Sequence, residues 1–314
     1  MSNLAITIIG AGKIAHEHVK AINLVEGMSV SGVYSRTTKT TSEFAKKYNI
    51  RHFSDINRVI ESAPDGIIIA VSADQVFHLS KILLPFKIPL LIEKPPGLSI
   101  SEIKILVQLA KENGTLNMVG LNRRHMSHFH KGIEKIKSYG PLFGIVIEGH
   151  ERLWQLRNKI DKKILDNWIF ANSIHTIDLI RFFGGEVSQQ LSFHQSFSNE
   201  FKDQLYSLFK MENNCLASYA SNWHSPGSWS VKLMGNGISA VFSPLEEGYT
   251  IDKNFHKEEI PLSKFDKAIK PGFYNQMKAF QGLININSLE WPSVDLESSM
   301  KSYEIASKMI SDAK

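Results

Sequence analysis

The sequence predicts an α/β protein in which an N-terminal doubly wound parallel sheet is followed by an α/β domain with a large, mostly antiparallel open sheet. Three observations predict this architecture. Short apolar runs alternate with helical patterns in the first 121 residues, a glycine motif follows the first of these runs, and strand-like runs dominate the rest. A length of 314 residues favours two domains. We place them at residues 1–121 and 122–314, with C-terminal helices able to pack back on the first domain.

In the first half, the strand-like runs are short and apolar, and each is followed by a helical pattern. The run at 65–71 is apolar throughout, as expected for a strand covered on both faces of a parallel sheet. Right-handed crossovers between the strands are the default. The expected strands are 5–9, 28–35, 65–71, 89–93 and 116–121, and the expected helices are 10–25, 41–48, 75–84 and 99–112.

In the second half, helical patterns are few. One stands out at residues 169–185, where an apolar stripe of Ile174, Ile177, Ile180 and Phe183 ends at a glycine pair. From residue 274 onward we expect a helix, a loop around Trp291, and a final helix. The expected strands lie within 142–153, 190–197, 204–211, 215–223, 229–236 and 239–244.

Composition narrows the class of protein. Hydrophobic residues make up 43% and charged residues 21%, which is ordinary for a globular protein. The net charge of +5 comes from scattered Lys and Arg, so nucleic-acid binding is not indicated. The excess of basic residues has two explanations: it keeps the protein soluble, or it attracts an anionic ligand.

The single cysteine, Cys215, excludes an internal disulfide and a cysteine-based metal cluster. With no basic leader and no apolar stretch of the ~20 residues that a membrane helix needs, we expect a cytoplasmic protein without membrane contact.

The motif Gly10-Ala11-Gly12-Lys13-Ile14-Ala15 lies between the first strand and the first helix. A G-x-G-x-x-A pattern in this context predicts dinucleotide binding, since Gly10 permits the tight turn and Gly12 the close approach of a pyrophosphate. Ala15 allows close packing of helix on strand, and the helix N-terminus favours phosphate. We expect cofactor contacts from Gly10, Gly12, Lys13, Ile14 and Val71.

The end of the second strand indicates which dinucleotide is bound. NAD-binding proteins usually place an acid there, whereas this chain has Ser35, Arg36 and Thr37. Arg36 and the hydroxyls suit a 2′-phosphate, so we expect NADP to be preferred over NAD. The alternative is that Arg36 is a solvated loop residue.

The stretch "LLIEKPPG" at 90–97 takes Glu93 and Lys94 to the end of a buried strand and follows them with Pro95 and Pro96. Ligands of doubly wound sheets lie outside the carboxyl ends of the strands. The prolines restrict the backbone after Lys94, and a cis bond before one of them fits such a turn. We expect Glu93 and Lys94 beside the cofactor; the alternative is a surface salt bridge on a turn.

These motifs, followed by His175 and Asp178 in the late helix, resemble the glucose–fructose oxidoreductase and inositol dehydrogenase family, also called Gfo/Idh/MocA. The similarity runs over essentially the whole chain and includes "GLNRRH" at 120–125. It implies a Rossmann domain, a C-terminal domain on an open sheet, hydride transfer at a carbon of a sugar or polyol, and homo-oligomers, dimers or tetramers, packed through that sheet.

The resemblance also assigns roles. Lys94 matches a lysine that contacts cofactor and substrate, His175 a histidine near the reacting hydroxyl, and Asp178 an acid that contacts substrate or supports the site. Alcohol oxidation needs a proton acceptor, and histidine and a tuned lysine suit that role. Members of the family usually carry Asp four residues before the histidine, where this chain has Ala171 and then Asn172. The Asp–His pair is therefore not intact.

Further substrate contacts are expected near the domain junction and before the late helix. Asn122, Arg123 and Arg152 are the candidates, and Asn172 joins them because of its place before His175. The alternative for the junction and basic residues is an interface or surface role. His16 and His18, in the first helix, are expected to pack or to lie on the surface. His125, His128 and His130 have no acid at ligand spacing, so no metal is expected.

Three functions remain open at this point. The first is an NADP-preferring oxidoreductase acting on a sugar or sugar derivative, such as a nucleotide-sugar or polysaccharide precursor. The second is a non-catalytic NAD(P)-binding regulator or scaffold, which the Ala171 departure favours and the retained Lys94 and His175 oppose. The third keeps the fold but reduces a keto or imine substrate, because the same groups serve both directions of hydride transfer.

Overall fold

The computed structural model describes residues 3–197 and 202–311. In the first 125 residues, strands and helices alternate, and a 3-10 turn at Asn122–His125 ends the region. The elements are β1 (Leu4–Ile9), α1 (Lys13–Leu24), β2 (Met28–Tyr34), α2 (Thr38–Tyr48), β3 (Arg51–His52), α3 (Ile56–Glu61), β4 (Gly66–Ile69), α4 (Ala73–Leu83), β5 (Leu90–Glu93), α5 (Ile100–Asn113) and β6 (Asn117–Gly120).

From residue 127 onward, fewer helices separate the strands than in the first 125 residues. The elements are α6 (Ser127–Tyr139), β7 (Leu142–Gly149), α7 (Leu153–Leu156), α8 (Lys162–Asp166), α9 (Ile174–Gly184), β8 (Val187–Gln195), β9 (Gln204–Met211), β10 (Leu216–Asn222), β11 (Trp229–Gly235), β12 (Ile238–Phe242), β13 (Gly248–Asp252), β14 (Lys257–Glu259), α10 (Lys264–Ala268), α11 (Phe273–Ile286) and α12 (Leu296–Met309).

The chain forms two compact units. The first contains the residues up to His125 together with Phe265–Met300, and the second contains Met126–Lys264 and the residues from Lys301 onward. The division at 121/122 that the sequence suggests stays a prediction about domain boundaries.

The first unit is built on a six-stranded sheet in the order β3-β2-β1-β4-β5-β6, with every pairing parallel. β4 and β5 are buried at every residue, which explains the apolar runs at 67–69 and 90–92. The core on one face joins β1 to α1 and to α11, whose Phe273, Met277 and Phe280 are buried there. The strand order reverses between β1 and β4, which places a crevice at their carboxyl ends.

The second unit is built on an eight-stranded sheet in the order β14-β13-β12-β11-β7-β10-β9-β8. Only the pairing of β7 with β10 is parallel, so the expected mostly antiparallel sheet is confirmed. α6 and α9 pack on one face of this sheet. On β9, alternate residues are buried and exposed, as expected of a strand with only one covered face.

Sequence reasoning missed several elements. The elements that were not expected are β3, α3, α6, α7, α8, β13, β14 and α10, and the expected run 142–153 ends as a strand at Gly149. α6 was missed because its buried side includes His128 and Gly132, which weaken the apolar pattern. The expected late helix is present as α9, but its burial goes beyond the apolar stripe: residues 174–182 are all buried, because the helix lies in the interior.

Candidate active site

A cavity of about 670 Å³ opens at the carboxyl ends of β1, β2 and β4 in the first unit. Its size is in the range of cofactor pockets. Among the described residues that line it there is no Asp or Glu, whereas Lys13 and Arg36 both line it, so it suits an anionic ligand. Other lining residues include Gly10, Gly12, Ile14, Ser35, Thr37, Thr40, Val71, Ser72, Gln75 and His78.

The two glycines of the motif lie in different surroundings. Gly10 has a φ of +115°, and a Cβ there would overlap the carbonyl oxygen of Ala70, so only glycine fits the turn. A Cβ on Gly12 would meet no atom within 4 Å, so its hydrogen atoms face open space at the N-cap of α1. Ala15 is fully buried, as the motif requires for close packing of helix and strand. The residues present therefore fit a dinucleotide, and Gly12 with the N-terminus of α1 would hold its pyrophosphate.

The end of β2 presents a cation and hydroxyls to the cavity. Arg36 and Thr37 are exposed side chains. The Ser35 hydroxyl lies 2.5 Å from that of buried Thr41, which also donates to the Thr37 carbonyl oxygen at 2.9 Å. This small network holds the loop in shape, and it leaves the Arg36 guanidinium at the surface of the cavity.

Glu93 and Lys94 lie where β5 ends, in the same unit as the cavity. The Glu93 carboxylate is buried and accepts a hydrogen bond from His18 Nε2 on α1 at 2.8 Å and one from the Lys94 backbone N–H at 3.3 Å. Gly120 makes room for this carboxylate, because a Cβ there would lie 3.0 Å from its Cδ. Lys94 is half-buried, and the Lys94–Pro95 bond is cis, as the sequence suggested for one of the two prolines.

His175 lies in the first turn of α9, in the second unit. Residues Ile169–Ser173 just before it form a π-helical turn, a wider turn that often marks functional sites. The His175 ring is buried, and its centroid lies 6.1 Å from that of Trp229, the first residue of β11.

Asn172, expected to contact substrate, has its amide directed at a carboxylate of its own unit. Its Nδ2 donates to Glu151 at 3.1 and 3.2 Å, and the Ser173 hydroxyl donates to the same carboxylate at 2.8 Å. Glu151, buried just beyond β7, was not singled out from the sequence.

Asp178 is almost completely buried, and the Ser302 hydroxyl of α12 donates to it at 2.7 Å. Arg181 donates to the same hydroxyl at 3.0 Å and pairs with Glu186 at 2.6 Å. These contacts tie α9 to α12 and favour a supporting role for Asp178.

The remaining expected residues differ in their surroundings. Asn122 is buried in the first unit, where its amide donates to the Pro271 carbonyl oxygen at 3.0 Å. Arg123 is half-buried in the same 3-10 turn, and Arg152 is exposed at the start of α7. For Asn122, then, the observed hydrogen bond joins two segments of the first unit.

Two polar residues stand out only in three dimensions. His18 was expected to pack or lie on the surface; it does pack against Phe273, but it also binds Glu93. The sequence does contain a signal for His18: it lies on the buried side of α1, where an apolar residue is usual. For Glu151 the signal was an acid immediately after a predicted strand.

No helix within residues 3–197 and 202–311 is long and apolar enough to cross a membrane. Over the same residues, no three His, Cys, Asp or Glu side chains are grouped to hold a metal ion.

Comparisons with known proteins agree with this architecture. Residues 4–121 match the family model of the oxidoreductase family with an NAD-binding Rossmann fold. Glucose-6-phosphate 3-dehydrogenase of Bacillus subtilis is 27% identical over 123 residues, which are 39% of this chain and 35% of that protein. The scyllo-inositol 2-dehydrogenase (NADP(+)) IolU of the same organism is 28% identical over 126 residues, 39% of this chain and 38% of that protein. The matches thus span little more than a third of these relatives.

A solved structure extends the likeness in fold to the whole chain. The UDP-N-acetylglucosamine 3-dehydrogenase GnnA of Acidithiobacillus ferrooxidans superposes with a TM-score of 0.81 at 16% identity, covering 98% of this chain and 97% of that chain. The Rossmann match over residues 4–121, the two sheets and the glycine motif at the crevice agree with the resemblance to the glucose–fructose oxidoreductase and inositol dehydrogenase (Gfo/Idh/MocA) family, whose model covers the Rossmann segment of this chain.

Proposed function

We propose that this protein is an NAD(P)-dependent dehydrogenase or reductase that transfers a hydride to or from a carbon of a sugar or sugar derivative. The observation that carries the proposal is the anion-suited cavity over Gly12, in the unit that also holds Lys94 at the end of β5. The relatives named glucose-6-phosphate 3-dehydrogenase and scyllo-inositol 2-dehydrogenase support a polyhydroxylated substrate.

The proposal assigns a chemical role to each candidate group. The bound nicotinamide supplies the hydride acceptor or donor. Lys94 Nζ binds the substrate oxygen and stabilises the charge that develops on it, and the His175 imidazole accepts the hydroxyl proton during oxidation or returns it during reduction. Because the same two groups serve both directions, the direction follows from the substrate and the cofactor ratio. Asn122, Arg123, Arg152, Asn172 and Asp178 complete the proposed substrate contacts or support them.

NADP is the proposed preferred cofactor. Arg36 and Thr37 line the cavity where the adenosine ribose of a Rossmann-bound dinucleotide lies, and no carboxylate lines it among the residues that the structure describes. A carboxylate would repel a 2′-phosphate, whereas a guanidinium binds it in a bidentate manner. The relative named for NADP(+) supports the same choice.

The proposed substrate is an anionic sugar, such as a nucleotide-sugar or a polysaccharide precursor. Directly after Glu151, the segment 152–163 presents exposed Arg152, Arg157, Lys162 and Lys163, together with Trp154, which is 50% exposed. Guanidinium groups bind phosphate, and an indole face suits a base or sugar ring. The solved structure named for UDP-N-acetylglucosamine is compatible with this substrate class.

The test measures binding and turnover separately. The protein is titrated with NADP and with NAD by calorimetry, and the complex is then incubated with sugar phosphates, nucleotide-sugars and inositols while the absorbance of the reduced nicotinamide is followed. We expect NADP to bind more tightly than NAD and at least one anionic sugar to be turned over. Lys94→Ala should lower kcat by about a hundredfold or more, a much larger factor than any rise in the Kd for NADP.

Lys104→Ala, an exposed-lysine change on α5, is the matched control and should keep wild-type turnover. Unchanged turnover in Lys94→Ala would contradict the assigned role of Lys94. Tight NADP binding with no turnover of any sugar would instead favour the non-catalytic regulator that the Ala171 departure suggests.

We also propose that the protein forms homo-oligomers, a dimer at least, through the uncovered face of the eight-stranded sheet. On β8 and β9, large apolar side chains lie side by side on this face, because Leu191 is opposite Leu208 and Phe193 is opposite Tyr206. Leu216 continues the face on β10. All five are 51–65% exposed, and such patches mark protein contacts.

A further inference from the structure

The first turn of α9 packs directly on the end of β7. A Cβ on Gly149 would overlap the Tyr219 hydroxyl and lie 2.6 Å from Thr176 Oγ1, so a glycine is required for this close approach. Thr176 donates to the Ser173 carbonyl oxygen at 2.9 Å, and its oxygen lies 3.1 Å from the Tyr219 hydroxyl. The position of the turn that carries His175 is therefore fixed against β7 and β10.

Two residues beyond Gly149, the chain places the buried carboxylate of Glu151 against the same turn. Glu151 is only 5% exposed. Its oxygens accept hydrogen bonds from Asn172 and Ser173, which are three and two residues before His175. One carboxylate thus bridges the last residues of the π-helical turn, at a place where Ala171 offers only a methyl group.

The Glu151 carboxylate also acts on its surroundings through its charge. The two hydrogen-bond donors just named are neutral side chains that stabilise the buried carboxylate. Burial raises the pKa of the Tyr219 hydroxyl, and the charge of Glu151 raises it further. In general, a carboxylate within a few ångströms of an imidazole favours the protonated ring.

We propose that Glu151 is a positioning residue for His175: its carboxylate fixes the π-helical turn and supplies the negative charge that stabilises the imidazolium formed when His175 accepts a proton. This inference rests on the proposed dehydrogenase function. The π-helical turn matters because it breaks the regular helical hydrogen bonding just before His175. Side-chain contacts from Glu151 then hold the turn in one conformation.

The first experiment compares Glu151→Gln with Glu148→Gln. The glutamine keeps the shape of the side chain and removes the charge, while Glu148 is an exposed carboxylate three residues earlier and serves as the matched control. Glu151→Gln should lower kcat by about tenfold or more, with little change in the KM for substrate or the Kd for NADP. Wild-type kcat in Glu151→Gln would overturn the proposal.

A double-mutant cycle separates positioning of His175 from a general effect on folding. If Glu151 acts through His175, then Glu151→Gln should lower kcat in the wild-type background but hardly further in a His175→Asn background. Full additivity of the two changes would overturn the proposal. If Glu151→Gln does not fold, as shown by a lost thermal transition, the double change Asn172→Ala and Ser173→Ala removes the donors instead and should lower kcat in the same His175-dependent way.

A third measurement does not need turnover, so it distinguishes failure of this inference from failure of the proposed function. NMR titration of histidine ring signals in the full chain gives the pKa of His175, with His175→Asn identifying the signal. It should be lower in Glu151→Gln than in the wild type, because the imidazolium loses a nearby carboxylate. Other ionisable side chains on or next to the packed elements include Glu148, His150, Asp178, Arg181 and Tyr219, and Glu151→Gln leaves all of them in place. An unchanged pKa overturns the inference even if a sugar is turned over.

Discussion

At the scale of single residues, the two glycines of the motif differ: the backbone conformation requires a glycine at Gly10, whereas Gly12 leaves space for a ligand. Gly10 has a left-handed φ and no room for a Cβ, whereas Gly12 has a φ of −85° and open space around it. Both positions match the same sequence pattern, so the pattern alone does not tell which glycine serves the backbone and which one serves the ligand.

We therefore expect Gly10→Ala and Gly12→Ala to differ. Gly10→Ala should destabilise the protein by about 1–3 kcal/mol, since the new methyl group meets the Ala70 backbone in a strained conformation. Gly12→Ala should keep the wild-type Tm but raise the Kd for NADP, because its methyl group fills the space that the pyrophosphate needs. Thermal unfolding and calorimetric titration of each variant check this. Wild-type NADP binding by Gly12→Ala would contradict the placement of the phosphates.

At the scale of secondary-structure elements, a charged cluster joins the end of α9 to α12. Arg181 binds Ser302 and Glu186, and Lys301 Nζ lies 3.5 Å from Glu186. Burial alone would raise the pKa of Glu186, but the hydrogen bond and charge of Arg181, together with Lys301, hold it below its usual value. The helix that carries His175 is thus anchored at its far end by a pairing that depends on pH.

The sign of this dependence follows from linkage. A carboxyl whose pKa is lower in the folded chain than in the unfolded chain stabilises the fold above the unfolded value, and this stabilisation is lost as the pH falls through the folded value. Glu186→Gln should lower the Tm at pH 7. Below pH 4.5, the ordinary pKa of a glutamate side chain, the Tm of this variant should fall less with pH than the Tm of the wild type. Thermal scans from pH 7 to acid measure both effects. Glu61→Gln, in an exposed pair with Arg58, is the control, and an identical pH profile for Glu186→Gln would contradict the pairing.

At the scale of the whole molecule, the main prediction concerns the uncovered sheet face of the second unit. Leu208 lies in the middle of the apolar patch, between Leu191 on β8 and Ser218 on β10. Leu208→Arg should convert the proposed oligomer to monomer, since it buries a charge in an apolar contact. Light scattering after size-exclusion chromatography measures the mass. Ile105→Arg, an equally drastic change at a 45% exposed site on α5, should leave it unchanged. A monomeric wild type at micromolar concentration would contradict the proposal.

Much of the fold could be predicted because the signals are local. The parallel sheet follows from alternating apolar runs and helices, and the glycine motif identifies the crevice where its strand order reverses. β3 and β14 could not be found this way, because two- and three-residue strands carry no periodicity and form only by pairing with a longer neighbour.

The sequence by itself determined the family resemblance, the dinucleotide motif and the identities of Lys94 and His175 as candidate groups, because each rests on residues adjacent in the chain or on a single periodic helix. Only the tertiary structure showed what holds these groups. His18 meets Glu93 across 75 residues, and Asn172 meets Glu151 across 21. Buried polar side chains must find hydrogen-bond partners wherever the fold brings them together, and sequence spacing carries no information about such long-range pairs.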